Sequence, residues 1–193
     1  MVTVISGDAL IVVDMQNDFL SGGSLAIPGE DKIIPLLNRY IFYFQTHELP
    51  IIATRDWHPA DHYSFQPQGG PWPPHCITGS KGAAFHPDLE LPVNIHIISK
   101  ATSQEKNAYS GFTDTQLNAL LQSLNIRRVF ICGIATEYCV LNTVKDALQF
   151  HYVTFILEDA ISAISQQAED GQHALEEMIR LGAMPTRFKE FTP

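Results

Sequence analysis

The feature that most constrains this chain is Ala9-Leu10-Ile11-Val12-Val13, five apolar residues in a row that stop abruptly at Asp14. A half-exposed strand would alternate, and an amphipathic helix would repeat every three to four residues. An uninterrupted apolar run this short reads as a strand covered on both faces, the situation of a central strand in a parallel sheet. Similar runs recur at Pro50-Ile51-Ile52-Ala53-Thr54, Ile95-His96-Ile97-Ile98-Ser99, Arg128-Val129-Phe130-Ile131-Cys132 and Tyr152-Val153-Thr154-Phe155-Ile156-Leu157, the last ending at Glu158-Asp159. A short edge strand over Met184–Phe188 completes about six.

Helical patterns lie between them. One starts near Glu30-Asp31, with Ile33, Leu37, Tyr40, Ile41 and Phe44 on one face and Pro35 early in it. Thr113 to Leu124 reads as a second, with Thr113 as N-cap and Leu117, Leu120, Leu121 and Leu124 inward. A third carries Val140, Val144, Ala147 and Leu148, and a fourth runs from about Gln167 to Leu181. Strands alternating with helices predict an α/β fold. It is a three-layer, doubly wound, Rossmann-like and mostly parallel sheet of about six strands with helices on both faces, in a single domain over 1–193. Only 17% of the 193 residues are charged, below the usual quarter, which suits a sheet buried on both sides.

A net charge of −9, from 12 basic and 21 acidic residues, argues against nucleic acid or an anionic membrane as partner. The start of the chain has neither a basic region nor a long apolar core, and no run approaches a membrane span. Cys76, Cys132 and Cys139 make an odd count without a disulfide framework, so reduced thiols in the cytoplasm are expected. A homo-oligomer is left open.

Binding sites in parallel sheets form beyond the carboxyl ends of the strands. Just past four strands stand Asp14, Asp56, Lys100 and the turn Gly133-Ile134-Ala135-Thr136-Glu137-Tyr138-Cys139. That turn reads as strand, tight turn and helix, with Cys139 in the helix's first turn. The helix dipole and free backbone N–H groups there would favour a thiolate and hold an oxyanion. Alone, Asp14 is most simply a loop-capping carboxylate and Lys100 a solvated charge. Together with Cys139 they supply base, cation and nucleophile, Lys100 holding Asp14 ionised and helping to keep the thiolate formed.

From Trp57 to Asn94 no periodicity is visible, yet seven of the 12 prolines and four of the eight histidines fall there. A loop so long in a compact domain points to function. Asp56, His58 and His75 offer one oxygen and two nitrogen donors with open positions, the pattern of a catalytic rather than a closed structural metal site. His62 is either a further ligand or a partner of one. His86 reads as structural, Cys76 as a buried thiol rather than a soft ligand, and Cys132 as core. Phe19, Trp72 and Tyr109 lie in separate loops that would wall a pocket for a flat ring if they meet above Cys139.

With these segments in view, the chain resembles the nicotinamidase/pyrazinamidase branch of the isochorismatase-like cysteine hydrolases. The resemblance is carried by Val13-Asp14-Met15-Gln16-Asn17-Asp18-Phe19, Thr54-Arg55-Asp56-Trp57-His58-Pro59, Trp72-Pro73-Pro74-His75-Cys76, Lys100, Tyr109-Ser110-Gly111-Phe112 and Gly133 to Val140, in order from about Ala9 to Asp159. It implies hydrolysis of nicotinamide, and of pyrazinamide, to the acid and ammonia through a cysteine thioester, in NAD salvage. Cys139 would be the nucleophile, Asp14 the base and Lys100 their support. Backbone N–H groups of Ala135 and Cys139 would form the oxyanion hole, with a cis peptide just before Ala135. Phe19, Trp72, Tyr109 and Ile134 would line the ring pocket. Asp56, His58 and His75 would hold one divalent ion, zinc first, with iron or manganese also suited, that binds the pyridine nitrogen. Glu137 departs from a frequent Asp, and both are acidic.

Three other readings fit less of the sequence. A sister hydrolase of another amide or ureide has no need of a pyridine-binding metal. A flavodoxin-like binding module would call for a glycine-rich phosphate cradle after the first strand, and none is present. A structural metal protein leaves Asp14, Lys100 and Cys139 unexplained.

Overall fold

The computed structural model describes residues 1–26, 33–164 and 168–192. Its centre is a sheet of six parallel strands: β1 (Asp8–Val13), β2 (Ile51–Asp56), β3 (His96–Lys100), β4 (Arg128–Ile134), β5 (Val153–Ser162) and β6 (Met184–Thr186). The order across the sheet is β3-β2-β1-β4-β5-β6, so the chain reverses direction of travel at the β1/β4 seam, where open α/β sheets place their ligands. All pairs are parallel, where sequence alone predicts a mostly parallel sheet.

Four helices cover the two faces: α1 (Ile34–Thr46), α2 (Leu117–Ser123), α3 (Leu141–Gln149) and α4 (Ala168–Arg180). Period-two alternation along β1 assigns the layers. Leu10 and Val12 pack with Leu37, Tyr40, Ile41 and Phe44 of α1. Ala9, Ile11 and Val13 face Leu117 and Leu121 of α2, Val144 and Ala147 of α3 and Met178 of α4. Both sets are buried, which is why the run from Ala9 to Val13 is apolar without a break.

Several boundaries differ from expectation, each for a physical reason. The expected start of α1 at Glu30-Asp31 lies outside the described residues, as does Gln167 before α4. Pro35 sits near the start of α1, where a missing N–H costs nothing, and Ile34 joins the buried face while Ile33 packs against it half-buried. Helix α2 begins at Leu117, not Thr113. Thr115 Oγ1 accepts from the Leu117 N–H at 3.1 Å, so Thr115 is the side chain that caps this helix start. Asp114, at φ 54°, keeps the preceding residues out of the helix. Strand β5 runs on through Glu158-Asp159 to Ser162, with a bulge against β4 between Ile131 and Gly133. Asp159 is used there structurally, accepting from the Tyr40 hydroxyl at 2.7 Å and the Phe188 N–H at 2.9 Å. The edge strand β6 stops at Thr186, and Phe188–Glu190 forms a 3-10 turn instead. No helix among the described residues is long and apolar enough to cross a membrane.

Candidate active site

Asp14 is the first residue beyond β1, in a left-handed conformation (φ 51°) that Asp tolerates better than most residues. Its Oδ1 accepts from Thr54 Oγ1 at 2.7 Å. Asp56 and Lys100 are the last residues of β2 and β3 and stand opposite one another in the parallel ladder. Lys100 is 1% exposed, and its ammonium lies 2.8 Å from Asp14 Oδ2, 3.3 Å from the Ala108 carbonyl and 3.4 Å from Cys139 Sγ. It also forms a close hydrogen-bonded ion pair with Asp56 Oδ1. The structure thus brings Asp14, Lys100 and Cys139 together, from three strand ends.

The Ile134–Ala135 peptide is cis, as the resemblance implies. The turn that carries Cys139 differs from the sequence reading in its bounds: Gly133 and Ile134 belong to β4, and Cys139 sits in a π-helical turn (Thr136–Val140) ahead of α3. Gly133 has φ +108°, and a Cβ there would lie 2.1 Å from the Val13 carbonyl oxygen. Only glycine lets β4 lie against β1 here and still deliver the turn. The N–H groups of Tyr138 and Val140 both donate to the Ala135 carbonyl at 3.1 Å, which folds the turn back over Ala135.

The electrostatics also correct one expectation. Burial pushes the Cys139 thiol well above its ordinary value, and the opposing pull of Lys100 does not offset it. Burial likewise raises Asp14, against the lowering effect of Lys100, so the correction falls on the thiol, which is not held as a standing thiolate, while Asp14 gains proton affinity. Asp56 goes the other way: burial opposes its charge, but Lys100 and His58 hold it below the ordinary carboxylate range. Lys100 stays charged despite burial because Asp14 and Asp56 flank it. The resting arrangement is a thiol beside a carboxyl of raised proton affinity.

Asp56, His58 and His75 are all buried, and one donor atom from each lies within 4.8 Å of the other two. Backbone carbonyls fix both imidazoles. His58 Nδ1 donates to the Ala101 carbonyl at 3.1 Å and His75 Nδ1 to the Pro73 carbonyl at 2.8 Å. A carbonyl only accepts, so each Nδ1 carries a proton, which leaves each Nε2 as the atom that would ligate a metal. His58 Nε2 stands 3.6 Å from Asp56 Oδ2. This donor set fits a divalent ion: two imidazole nitrogens and one carboxylate, oriented in advance. His75 reaches the cluster because the loop around it is laced to the β2 end. His58 N–H donates to the Cys76 carbonyl at 3.0 Å, and Asp18 Oδ2 accepts from the Cys76 N–H at 2.7 Å.

His62 is not part of the cluster. Its Nε2 donates to the Lys106 carbonyl at 3.0 Å and its Nδ1 accepts from Ser64 Oγ at 2.7 Å, so both nitrogens are in use. Its ring packs 4.4 Å from that of His58. Cys76 is a fully buried thiol, and Cys132 a core residue in β4 whose Sγ lies 3.5 Å from the Ile11 carbonyl. His86 accepts from the Asp88 N–H at 3.2 Å, in keeping with a structural role.

Phe19, Trp72, Tyr109 and Ile134 line one pocket with Asp56, His58, His75 and Cys139. Sequence reasoning missed three contributors. Tyr138 also lines this pocket and makes an edge contact with Trp72 at 5.5 Å and a tilted one with Tyr109 at 5.5 Å, joining the aromatic walls. Thr54 was signalled only as a hydroxyl at the end of an apolar strand. Gln16 is fully buried; its Oε1 accepts from the Asp56 N–H at 2.7 Å, and its Nε2 donates to the carbonyls of Asp56 at 2.8 Å and Ala83 at 2.9 Å.

Known proteins are similar to this chain in sequence and in fold. The Isochorismatase domain family matches residues 8–190. The crystal structure of a pyrazinamidase of Pyrococcus horikoshii in complex with zinc is 49% identical, with a TM-score of 0.91 over 94% of this chain and 99% of that one. That of PnC1 from L. infantum, in complex with nicotinate, is 36% identical, with a TM-score of 0.90 over 99% of this chain and 98% of that one. A nicotinamidase of Escherichia coli is 36% identical over 196 aligned positions, covering 91% of this chain and 92% of the relative. With a family match over nearly its whole length, the chain belongs to the isochorismatase family.

Proposed function

We propose that this protein is a nicotinamidase: it hydrolyses nicotinamide, and pyrazinamide by the same route, to the aromatic carboxylate and ammonia in NAD salvage. The observation that carries the reading is the Lys100 ammonium, which joins Asp14 and Cys139 to Asp56, one of three metal donors in a pocket walled by aromatic rings. A triad alone fits any amide; a triad sharing its pocket with open imidazole and carboxylate donors fits an amide on a metal-binding heteroaromatic ring.

In the proposed reaction Cys139 Sγ attacks the carboxamide carbon while its proton passes to Asp14. The raised proton affinity of Asp14 suits it to that transfer. The backbone N–H groups of Ala135 and Cys139 receive the developing oxyanion. As the carbon–nitrogen bond breaks, Asp14 returns the proton to the leaving nitrogen and ammonia departs. Water then attacks the thioester and Asp14 takes one of its protons; as the carbon–sulfur bond breaks, Asp14 passes that proton to the sulfur to regenerate the thiol, and the carboxylic acid released gives its remaining proton to solvent to become the carboxylate. Lys100 holds Asp14 in place and keeps positive charge beside the sulfur. Phe19, Trp72, Tyr109 and Ile134 sandwich the ring and exclude water.

A divalent ion held by Asp56, His58 and His75 would supply a Lewis-acid contact for a ring nitrogen, and the similar zinc-containing structure supports zinc as that ion. The proposal extends to a single hydrolase domain over the whole sequence, working in the cytoplasm, where three free cysteines stay reduced. The test is ammonia release from nicotinamide with zinc supplied. Native protein is expected to be active and Cys139→Ala inactive; no release by native protein would overturn the activity, and release by the variant would overturn the nucleophile.

A further inference from the structure

The acylation centre has the composition of a metal site. Asp14, Asp56 and Cys139 are all buried, and a donor atom from each lies within 4.8 Å of the other two. The Ala108 carbonyl approaches the same point, 3.3 Å from Lys100 Nζ. What stands among these donors is the Lys100 ammonium. Asp14 Oδ2 is fully buried and faces that ammonium in an ion pair at 2.8 Å. A thiol, two carboxylates and a carbonyl around one point would take a thiophilic divalent ion. Donors around a four-coordinate zinc lie roughly 3.3–3.8 Å apart, so closing this set needs a movement of about 1 Å, and less for a larger ion.

Asp56 sharpens the comparison. Its Oδ2 faces His58 Nε2 in the histidine cluster, while its Oδ1 faces Lys100. One carboxylate therefore bridges two cation positions, the arrangement of a binuclear metal centre in which one position is taken by an ammonium. We infer that Lys100 has a second role: it occupies a latent thiolate–carboxylate metal position, and so keeps the ion chosen by the histidine cluster, and soft ions generally, off the Cys139 sulfur.

The consequence is chemical. An ion at this position would displace the lysine head group, bind Cys139 as thiolate, release its proton to solvent and tie up the lone pair that attacks the amide. An ammonium offers positive charge beside the sulfur without a covalent claim on it. Arginine would carry the charge too, but its planar fork does not fill a point among converging donors. The pocket that admits substrate opens onto both Asp56 and Cys139, so a path for the ion exists. This goes beyond the amidase reading and does not depend on it, since the sulfur reports for itself.

Cadmium, whose bond to thiolate gives a charge-transfer absorption band, is the probe. It is titrated into native protein, Lys100→Met and Lys100→Met/Cys139→Ala, with bound metal counted by mass spectrometry. Native protein is expected to show no thiolate band once the histidine cluster is filled. Lys100→Met should take up one more equivalent and develop the band, and the double variant should lose both, which excludes Cys76 and Cys132 as the source. A band in native protein, or none in a folded Lys100 variant, overturns the inference. Should Lys100→Met not fold without metal, Lys100→Gln carries the same measurement, and folding restored by cadmium only while Cys139 is present supports the inference equally. Ammonia release from native protein, assayed separately, tells failure of the amidase reading from failure of this one.

Discussion

Gln16 grips Asp56 by its backbone: its side-chain amide accepts from the Asp56 N–H at 2.7 Å and donates to the Asp56 carbonyl at 2.8 Å. The amide acts as a borrowed rung of sheet. The β1/β2 ladder ends at Val13 and Thr54, and Gln16 supplies the pairing that the separating strands no longer give. Gln16→Met keeps the bulk and strands buried polar groups, each at a cost of about 1–3 kcal/mol. We expect a lower denaturation midpoint, and zinc affinity reduced on the order of 10–100-fold by titration, as for other residues that orient a ligand.

Thr54 holds the other face of the triad through its hydrogen bond to Asp14 Oδ1. Thr54→Val preserves shape and deletes the donor. A hydrogen bond to a carboxylate is worth about 1.5–3 kcal/mol, so kcat is expected to fall roughly 10- to 150-fold. Because Thr54 lies behind Asp14, KM for nicotinamide should change little; a loss confined to KM would show that Thr54 acts on binding instead.

The two neighbouring histidines separate cleanly. His58→Ala should abolish stoichiometric zinc and weaken substrate binding with it. His62→Ala should retain zinc, because both ring nitrogens of His62 are spent on Ser64 and Lys106. Metal analysis after dialysis decides, and zinc lost from the His62 variant would put that residue back among the ligands.

Removal of metal by a chelator is expected to spare the fold. Each donor residue has its own restraint: Asp56 from Gln16 and Lys100, His58 from the Ala101 carbonyl and His75 from the Pro73 carbonyl. Circular dichroism should be unchanged while amidase activity is lost and then recovered on adding zinc.

Gly133→Ala tests the β1/β4 seam. The added Cβ would lie 2.1 Å from the Val13 carbonyl oxygen at a φ of +108°, so stability should drop by at least about 2 kcal/mol in denaturant unfolding. Restored wild-type stability would mean that the seam yields more easily than its geometry implies.

Sequence pattern revealed the sheet because buried parallel strands leave an unmistakable mark, as Ala9–Val13 does. It also placed Asp14, Asp56, Lys100 and Cys139 at strand ends. It did not reveal that β5 continues through Glu158-Asp159, since two acids look like an exit until Tyr40 and Phe188 are seen to satisfy Asp159. Gln16 was hidden for a related reason: its partners are backbone groups 40 and 67 residues away, which no side-chain pattern encodes. The direction of the Cys139 shift depended on how completely the site is closed, a property of packing rather than of neighbours in sequence.

The strand order has one more consequence. Lys100, Asp56, Asp14 and the Cys139 turn come from β3, β2, β1 and β4, four consecutive members of the sheet. Parallel neighbours are held about 4.8 Å apart by backbone hydrogen bonds that no side chain can alter. The sheet is therefore a ruler: it sets the lateral spacing of the reacting groups in units of its own repeat. Changes in substrate preference are left to the loops above, which can be rebuilt without touching the graduations.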